Sequence, residues 1–167
     1  MDIATALEAL RPELAKVYTR QIENAFKAAV EDHGPSLKGV YNSPRHARTF
    51  RALVAPCLTY SDNSPSAIAT LNDAKVAAAA AHYAEAASQQ WKDKIEGKLG
   101  ELENVEIKKF GGCNFLIKGW RAGKAVAIDQ NVIVRASTKG LLHNQFPARI
   151  FVDGRFVSER AYHAMFA

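Results

Sequence analysis

Seven cations and three aromatic residues recur along one short stretch: Lys108, Lys109, Lys118, Arg121, Lys124, Arg135 and Lys139, interleaved with Phe110, Phe115 and Trp120. Cations at this density neutralise phosphates, and an exposed aromatic ring stacks on an unpaired base, so these residue types point to nucleic-acid binding. Trp120, beside Arg121 at a strand end, is the best candidate for stacking. The expected nucleic-acid-binding set is Lys108, Lys109, Lys118, Trp120, Arg121, Lys124, Arg135 and Lys139, with an affinity that falls steeply with salt. The counter-reading is that Phe115, and Trp120 with it, are simply core, which for aromatic residues in a small sheet is the commoner case.

Charge is unevenly spread. From Met1 to Glu103 there are 12 Lys and Arg against 13 Asp and Glu; from Asn104 to Ala167 there are 10 against 4, so a region of −1 precedes one of +6 and the sum is +5. The whole excess lies in the last part of the chain. Such an asymmetry selects a polyanionic partner, either nucleic acid or an acidic protein surface.

Catalytic chemistry rests on fragments. Glu106-Ile107-Lys108 has the E-x-K form of metal-dependent nucleases, in which the acid holds a cation and the lysine assists the attacking water; only Asp129 offers a second acid nearby. Arg135, Ser137-Thr138 and Glu159 are the types used in ADP-ribosyl transfer, but an acid at a helix start also suits the helix dipole. The histidines at 33, 46, 82, 143 and 163 show no metal-ligand spacing, and there is neither a G-x-G-x-x-G nor a phosphate loop. His143-Asn144-Gln145 is a polar cluster in a connector. Cys57 and Cys113 lack C-x-x-C spacing and are expected to be reduced, partly buried thiols. No catalytic residue, no metal ligand and no cofactor is assigned.

The elements that must hold the basic stretch follow from periodicity. Asp2 caps a first turn carrying Ile3, Leu7 and Leu10, Pro12 opens a new helix or kinks the old one, and Leu14, Val17, Tyr18, Ile22, Phe26 and Val30 recur at helical spacing until Gly34-Pro35. After a loop over 35–42, Ser43-Pro44 starts a helix that Pro56 stops, with Arg45, Arg48 and Arg51 along its solvated side. Ser64-Pro65 opens the longest helix, alanine-rich between Ala77 and Ala87 and ending near Leu99, where Gly97 and Gly100 weaken it. At Asn104 the period changes from 3.6 to 2. Val105 and Ile107, Phe115 and Ile117, then Val126 and Ile128 continuing through Val132 and Val134 to Arg135, mark three strands joined at Gly111-Gly112 and Arg121–Lys124. Asp153-Gly154 is a further hairpin turn between Arg149–Val152 and Arg155–Val157. Ser158 caps a last helix through Tyr162 and Met165.

The expected fold is α+β: N-terminal helices over 1–103 packed on a basic antiparallel meander of three to five strands, 104–167, closed by a short helix. The two parts are expected to share one cooperative domain, since 167 residues suffice for a core without metal or disulfide. No apolar run approaches the ~20 residues of a membrane span, and no N-terminal stretch pairs a basic start with an apolar core. A soluble cytoplasmic protein with no membrane partner is the expectation. The alanine-rich helix offers a close-packing face, which makes a homo-oligomer possible, although packing on the chain's own helix from Pro12 to Asp32 explains the same residues. A protein acting purely by protein contact needs no catalytic residues and has a sequence of this kind.

The segment Asn144-Gln145-Phe146-Pro147-Ala148-Arg149-Ile150-Phe151-Val152-Asp153-Gly154-Arg155-Phe156-Val157-Ser158-Glu159 resembles the closing segment of small uncharacterised bacteriophage-encoded proteins. It covers about the last quarter of the chain and brings no site residues with it. The resemblance implies a viral origin and work in the host bacterial cytoplasm: genome handling through a nucleic-acid-binding β region, or an inhibitor, virion or assembly component acting by protein contact.

Overall fold

The chain alternates from helices to an antiparallel sheet in the order that its periodicity predicts. A computed structural model describes residues 1–41, 51–62, 64–132 and 149–167. Its helices are α1 (Ile3–His33), α2 (Leu37–Tyr41), α3 (Asp73–Leu99) and α4 (Glu159–Met165). Its strands are β1 (Leu58–Thr59), β2 (Thr70–Leu71), β3 (Glu103–Lys109), β4 (Asn114–Arg121), β5 (Lys124–Asn131), β6 (Arg149–Val152) and β7 (Arg155–Val157). The fold is α+β. The first two strands form a small antiparallel pair, and the other five form one antiparallel sheet in the order β3-β4-β5-β6-β7.

Several boundaries differ from those expected, each for a local reason. Pro12 lies inside α1, which runs unbroken past it; buried Leu10 and Leu14 on either side hold the helix together where proline removes one hydrogen bond. The connection after α1 contains α2, whose start is set by the Ser36 hydroxyl accepting from the Gly39 amide. The long helix begins at Asp73 rather than Ser64, because Asn72 caps it through its side chain to the Lys75 amide at 3.1 Å. Leu58–Thr59 and Thr70–Leu71 instead form the antiparallel β1–β2 pair ahead of it. The expected helix start at Ser43-Pro44, with Arg45 and Arg48, lies outside the described residues. Arg51 is described, with its guanidinium 5.3 Å from the centre of the Tyr41 ring.

Two compact units divide the chain: Met1–Arg11 with Glu85–Ile133 and His143–Ala167, and Pro12–Ala84 with Val134–Leu142. The division falls within the two long helices, at Arg11/Pro12 and Ala84/Glu85, rather than at residue 103. In the second unit Leu14, Val17, Tyr18 and Ile22 of α1 are buried, as are Val76, Ala80 and Ala84 of α3. The alanines leave room for Tyr18 and Tyr83 to meet at 5.8 Å between ring centres, and the Tyr83 hydroxyl donates to the Ala52 carbonyl. Cys57 is buried in this unit, and burial raises its thiol pKa against a smaller opposite pull from Lys75. That environment makes an inert thiol, not a nucleophile.

The first unit contains the five-stranded sheet. Its inner face is made by Phe115, Ile117, Val126, Ile128, Ile150 and Val152, all buried. The last part of α3 lies against this face: Trp91 meets Phe115 edge-on at 5.7 Å, and Ile95 and Leu99 are fully buried. Gly119 keeps the face low, since a Cβ there would sit 2.9 Å from the Leu102 Cβ. At the sheet's start the Val105 amide donates to the Met1 carbonyl.

Candidate nucleic-acid interface

Strand alternation decides what the other face of the sheet carries. In β4, burial alternates so that Phe115, Ile117 and Gly119 point in, while Leu116, Lys118 and Trp120 point out. The register then aligns outward side chains in rows across the strands. One row reads Glu106, Lys118, Ala127, Phe151 and Phe156; the next reads Lys108, Leu116, Asp129 and Arg149; Trp120 is paired with Ala125.

These rows give the outer face an aromatic floor. Trp120 is 48% exposed and Phe156 64%, with Phe151 half-buried between them and meeting Phe156 edge-to-face at 6.2 Å. Ala125 and Ala127 separate the Trp120 and Phe151 side chains. Because one strand intervenes, those two ladders stand about 10 Å apart at ~4.8 Å per strand. The small alanines leave a depression of about 310 Å³ there, lined among others by Asn104, Glu106, Lys118, Trp120, Ala127 and Phe151. Apart from the contact between Phe151 and Phe156, no ring contact is found for these side chains among the described residues, in contrast to Phe115 on the inner face.

The eight residues expected to bind nucleic acid do not all share this surface. Lys108, Lys118 and Trp120 do. Lys109 is exposed but stands opposite Phe115, at the end of the inner-face register. Lys124 stands opposite Arg121 and forms an ion pair with Asp153 at 3.9 Å. Arg135 and Lys139 lie outside the described residues.

Arg121 is turned away from Trp120 altogether. Its Nη1 donates to the Leu99 carbonyl at the end of α3 and, at 3.3 Å, reaches the Tyr162 hydroxyl of α4. The guanidinium lies 5.5 Å from the centre of the Tyr162 ring and 4.9 Å from that of Phe166. The Tyr162 hydroxyl also donates to Leu99, at 2.8 Å. One orphan carbonyl of the α3 terminus is thus satisfied twice, by two groups from outside the helix. Gly100 makes this possible on two counts: its φ of +76° suits a helix end, and a Cβ there would meet Arg121 Nη1 at 2.9 Å. Arg121 is a structural clasp and Trp120 a surface residue, although they are neighbours in sequence.

The cations of the outer face are partly neutralised. Lys108 Nζ is 3.0 Å from Glu106 Oε1, and Arg149 donates through two nitrogens to Asp129 Oδ2, at 2.6 and 3.1 Å. Lys118 makes no ion pair among the described residues. The same pairs bear on the nuclease pattern. Asp129 is two strands from Glu106 and committed to Arg149, and no group of three or more His, Cys, Asp or Glu that could hold a metal is found among the described residues. Glu159, the acid of the ADP-ribosyl pattern, pairs with Lys98 at 3.4 Å; Arg135 and Ser137-Thr138 are outside the described residues.

Phe151 and Phe156 are members of this surface that the sequence reading did not single out. Their signal was available: Phe151 alternates with buried Ile150 and Val152, and Phe156 is its register partner across the Asp153-Gly154 turn, so both point outward if Ile150 and Val152 point in. Among the described residues no helix is long and apolar enough to cross a membrane. No protein family, curated protein or solved structure matches the chain.

Proposed function

We propose that the outer face of the five-stranded sheet binds single-stranded nucleic acid, and that the protein is a non-catalytic binding protein. The observation that carries this reading is the exposure of Trp120 and Phe156 on one flat face, with Phe151 between them and Lys118 alongside. Unpaired bases offer both faces to such rings, and each base–aromatic stack contributes about 1–3 kcal/mol. Duplex bases, already stacked, do not. The clustering of positive charge after residue 104 supports the same choice of partner. A viral origin, implied by the closing segment, agrees with a role in genome handling in a host cytoplasm.

Stacking outweighs phosphate contact on this face, because Lys108 and Arg149 already have carboxylate partners. The dependence on salt is therefore shallow rather than steep: even with Lys108, Lys118 and Arg149 all on phosphates, the slope in log K against log salt reaches only about −2, on the order of 0.7 per contact for single strands. Gel retardation of labelled single strands at low salt tests the reading. Trp120→Ala and Phe156→Ala are each expected to weaken binding about tenfold or more, with duplex DNA of the same sequence bound more weakly than the single strand. No retardation of any single strand would overturn it.

The exposure of Phe156 on β7, at the edge of the sheet, favours a second reading: a protein partner seated on the same rings, as in an inhibitor or assembly component. A defined complex with a protein, lost on Phe156→Ala while nucleic acid has no effect, would select it.

A further inference from the structure

The depression between Trp120 and Phe151 has charged groups on one side only, and the hydrogen-bonding types of these two are fixed. Glu106 on β3 presents a carboxylate, an acceptor with no donor when ionised; Lys118, its partner in register on β4, presents an ammonium, a donor with no acceptor. The opposite side is the Phe151 ring and the floor is Ala127. The depression is at the small end of ligand sites, about the size for one planar group. At this end of β3 the register shifts between Glu103 and Glu106, and Asn104 takes a φ of +50°. Irregularities of this kind re-aim side chains, and Asn104 lines the same depression.

We infer that this depression is a subsite selective for guanine, a deepening that rests on the reading of the sheet face as a single-strand platform. Guanine alone among the bases presents two adjacent N–H donors, N1–H and the N2 amino group, beside a carbonyl acceptor, O6. Its two donors suit the Glu106 carboxylate and its O6 suits the Lys118 ammonium, while the ring stacks between Trp120 and Phe151. Adenine and cytosine each set a ring-nitrogen acceptor beside a single amino group, so a carboxylate that accepts from the amino group faces a lone pair. Uracil and thymine offer one N–H flanked by two carbonyls, which the carboxylate repels. The Glu106–Lys108 ion pair uses one acceptor site of one carboxylate oxygen at 3.0 Å and holds the carboxyl group in place, which leaves both oxygens with a lone pair for the two guanine donors.

The test is competition binding with short single strands of one length, all thymidine except for one central position occupied by guanine, adenine, cytosine or hypoxanthine. Guanine is expected to bind about five- to tenfold tighter than thymine at that position. Hypoxanthine, which lacks the N2 amino group, is expected to fall between them. E106Q is expected to raise the affinity of the all-thymidine strand by removing a negative charge, and to bring the guanine-to-thymine ratio close to one. Lys118→Met, which keeps the length of the side chain, is expected to reduce the ratio as well. Equal affinities for all four bases in the wild type, or a ratio unchanged in E106Q, would overturn the guanine subsite and leave the platform standing. Failure of every strand to bind would remove both.

Discussion

The two faces of the five-stranded sheet are built from the same strands and both carry large apolar side chains, yet only the inner ones are accounted for by packing. On the inner face Phe115 is fully buried against Trp91. On the outer face Trp120 and Phe156 remain 48% and 64% exposed. Alternation along a strand assigns side chains to faces; it does not say which face will be covered. What separates the faces is the neighbourhood: the end of α3 and α4 supply the inner one with rings and aliphatic chains, while the outer one is floored by Ala125 and Ala127 and edged by charges. A ring kept in water forgoes up to about 1.5–3 kcal/mol relative to burial, and that is the observation on which the proposed binding face rests.

Exchanging the two tryptophans' roles is the strongest way to break this contrast. Trp91→Ala should lower the free energy of unfolding by about 3–5 kcal/mol, measured by denaturant titration. Trp120→Ala should change it by about 0.5 kcal/mol or less and should act on oligonucleotide affinity instead. Similar stability losses for both would mean that the outer face is packed after all. Next in size is the pair of sequence neighbours. Arg121→Ala should cost about 1.5–3 kcal/mol, since it removes a charged donor from the Leu99 carbonyl, and should leave the guanine-to-thymine ratio unchanged. Loss of that selectivity without loss of stability would return Arg121 to the binding surface. Tyr162→Phe, which deletes the second donor to Leu99 together with the hydroxyl that Arg121 Nη1 reaches at 3.3 Å, should cost about 1 kcal/mol by the same measurement.

The smallest effect concerns neither face and so provides a baseline. The Thr5 amide donates to Asp2 Oδ1 at 2.8 Å, and this bond holds the Asp2 carboxyl below its ordinary value of 3.8. A depressed folded-state value means that the cap stabilises above pH 3.8 and that its contribution is lost as pH falls through the folded value. Asp2→Asn keeps the cap without the titration, so its melting temperature should fall slightly less than that of the wild type between pH 4 and the acid limit, as followed by circular dichroism.

The meander was legible in the sequence because each of its strands is long enough to show alternation. Val105 and Ile107 in β3 announce themselves against Glu106 and Lys108, Phe115 and Ile117 in β4 alternate with Leu116 and Lys118, and Asp153-Gly154 names its own turn. The β1–β2 pair was not legible: two residues per strand carry no period, and Ser64-Pro65 has the chemistry of a helix start, which Asn72 supplies instead. Of the candidate site, Lys118 and Trp120 could be read from local pattern. Arg121 could not be removed from it in the same way, because the carbonyl that engages it belongs to Leu99, 22 positions earlier. Phe151 and Phe156 were overlooked for the opposite reason: flanking a strong hairpin signal, they looked fully explained by the turn.

Trp91 and Trp120 are the two tryptophans of the chain, one on each side of the same sheet. The molecule therefore carries its own pair of optical reporters. The sealed indole emits toward the blue and is shielded from iodide, whereas the open one emits toward the red and is quenched both by iodide and by a base laid upon it. Under the proposed binding mode, a spectral difference between folded protein with and without an oligonucleotide would isolate Trp120, while the shift on denaturation would be dominated by Trp91, so that occupancy and folding could be followed in a single cuvette without a label.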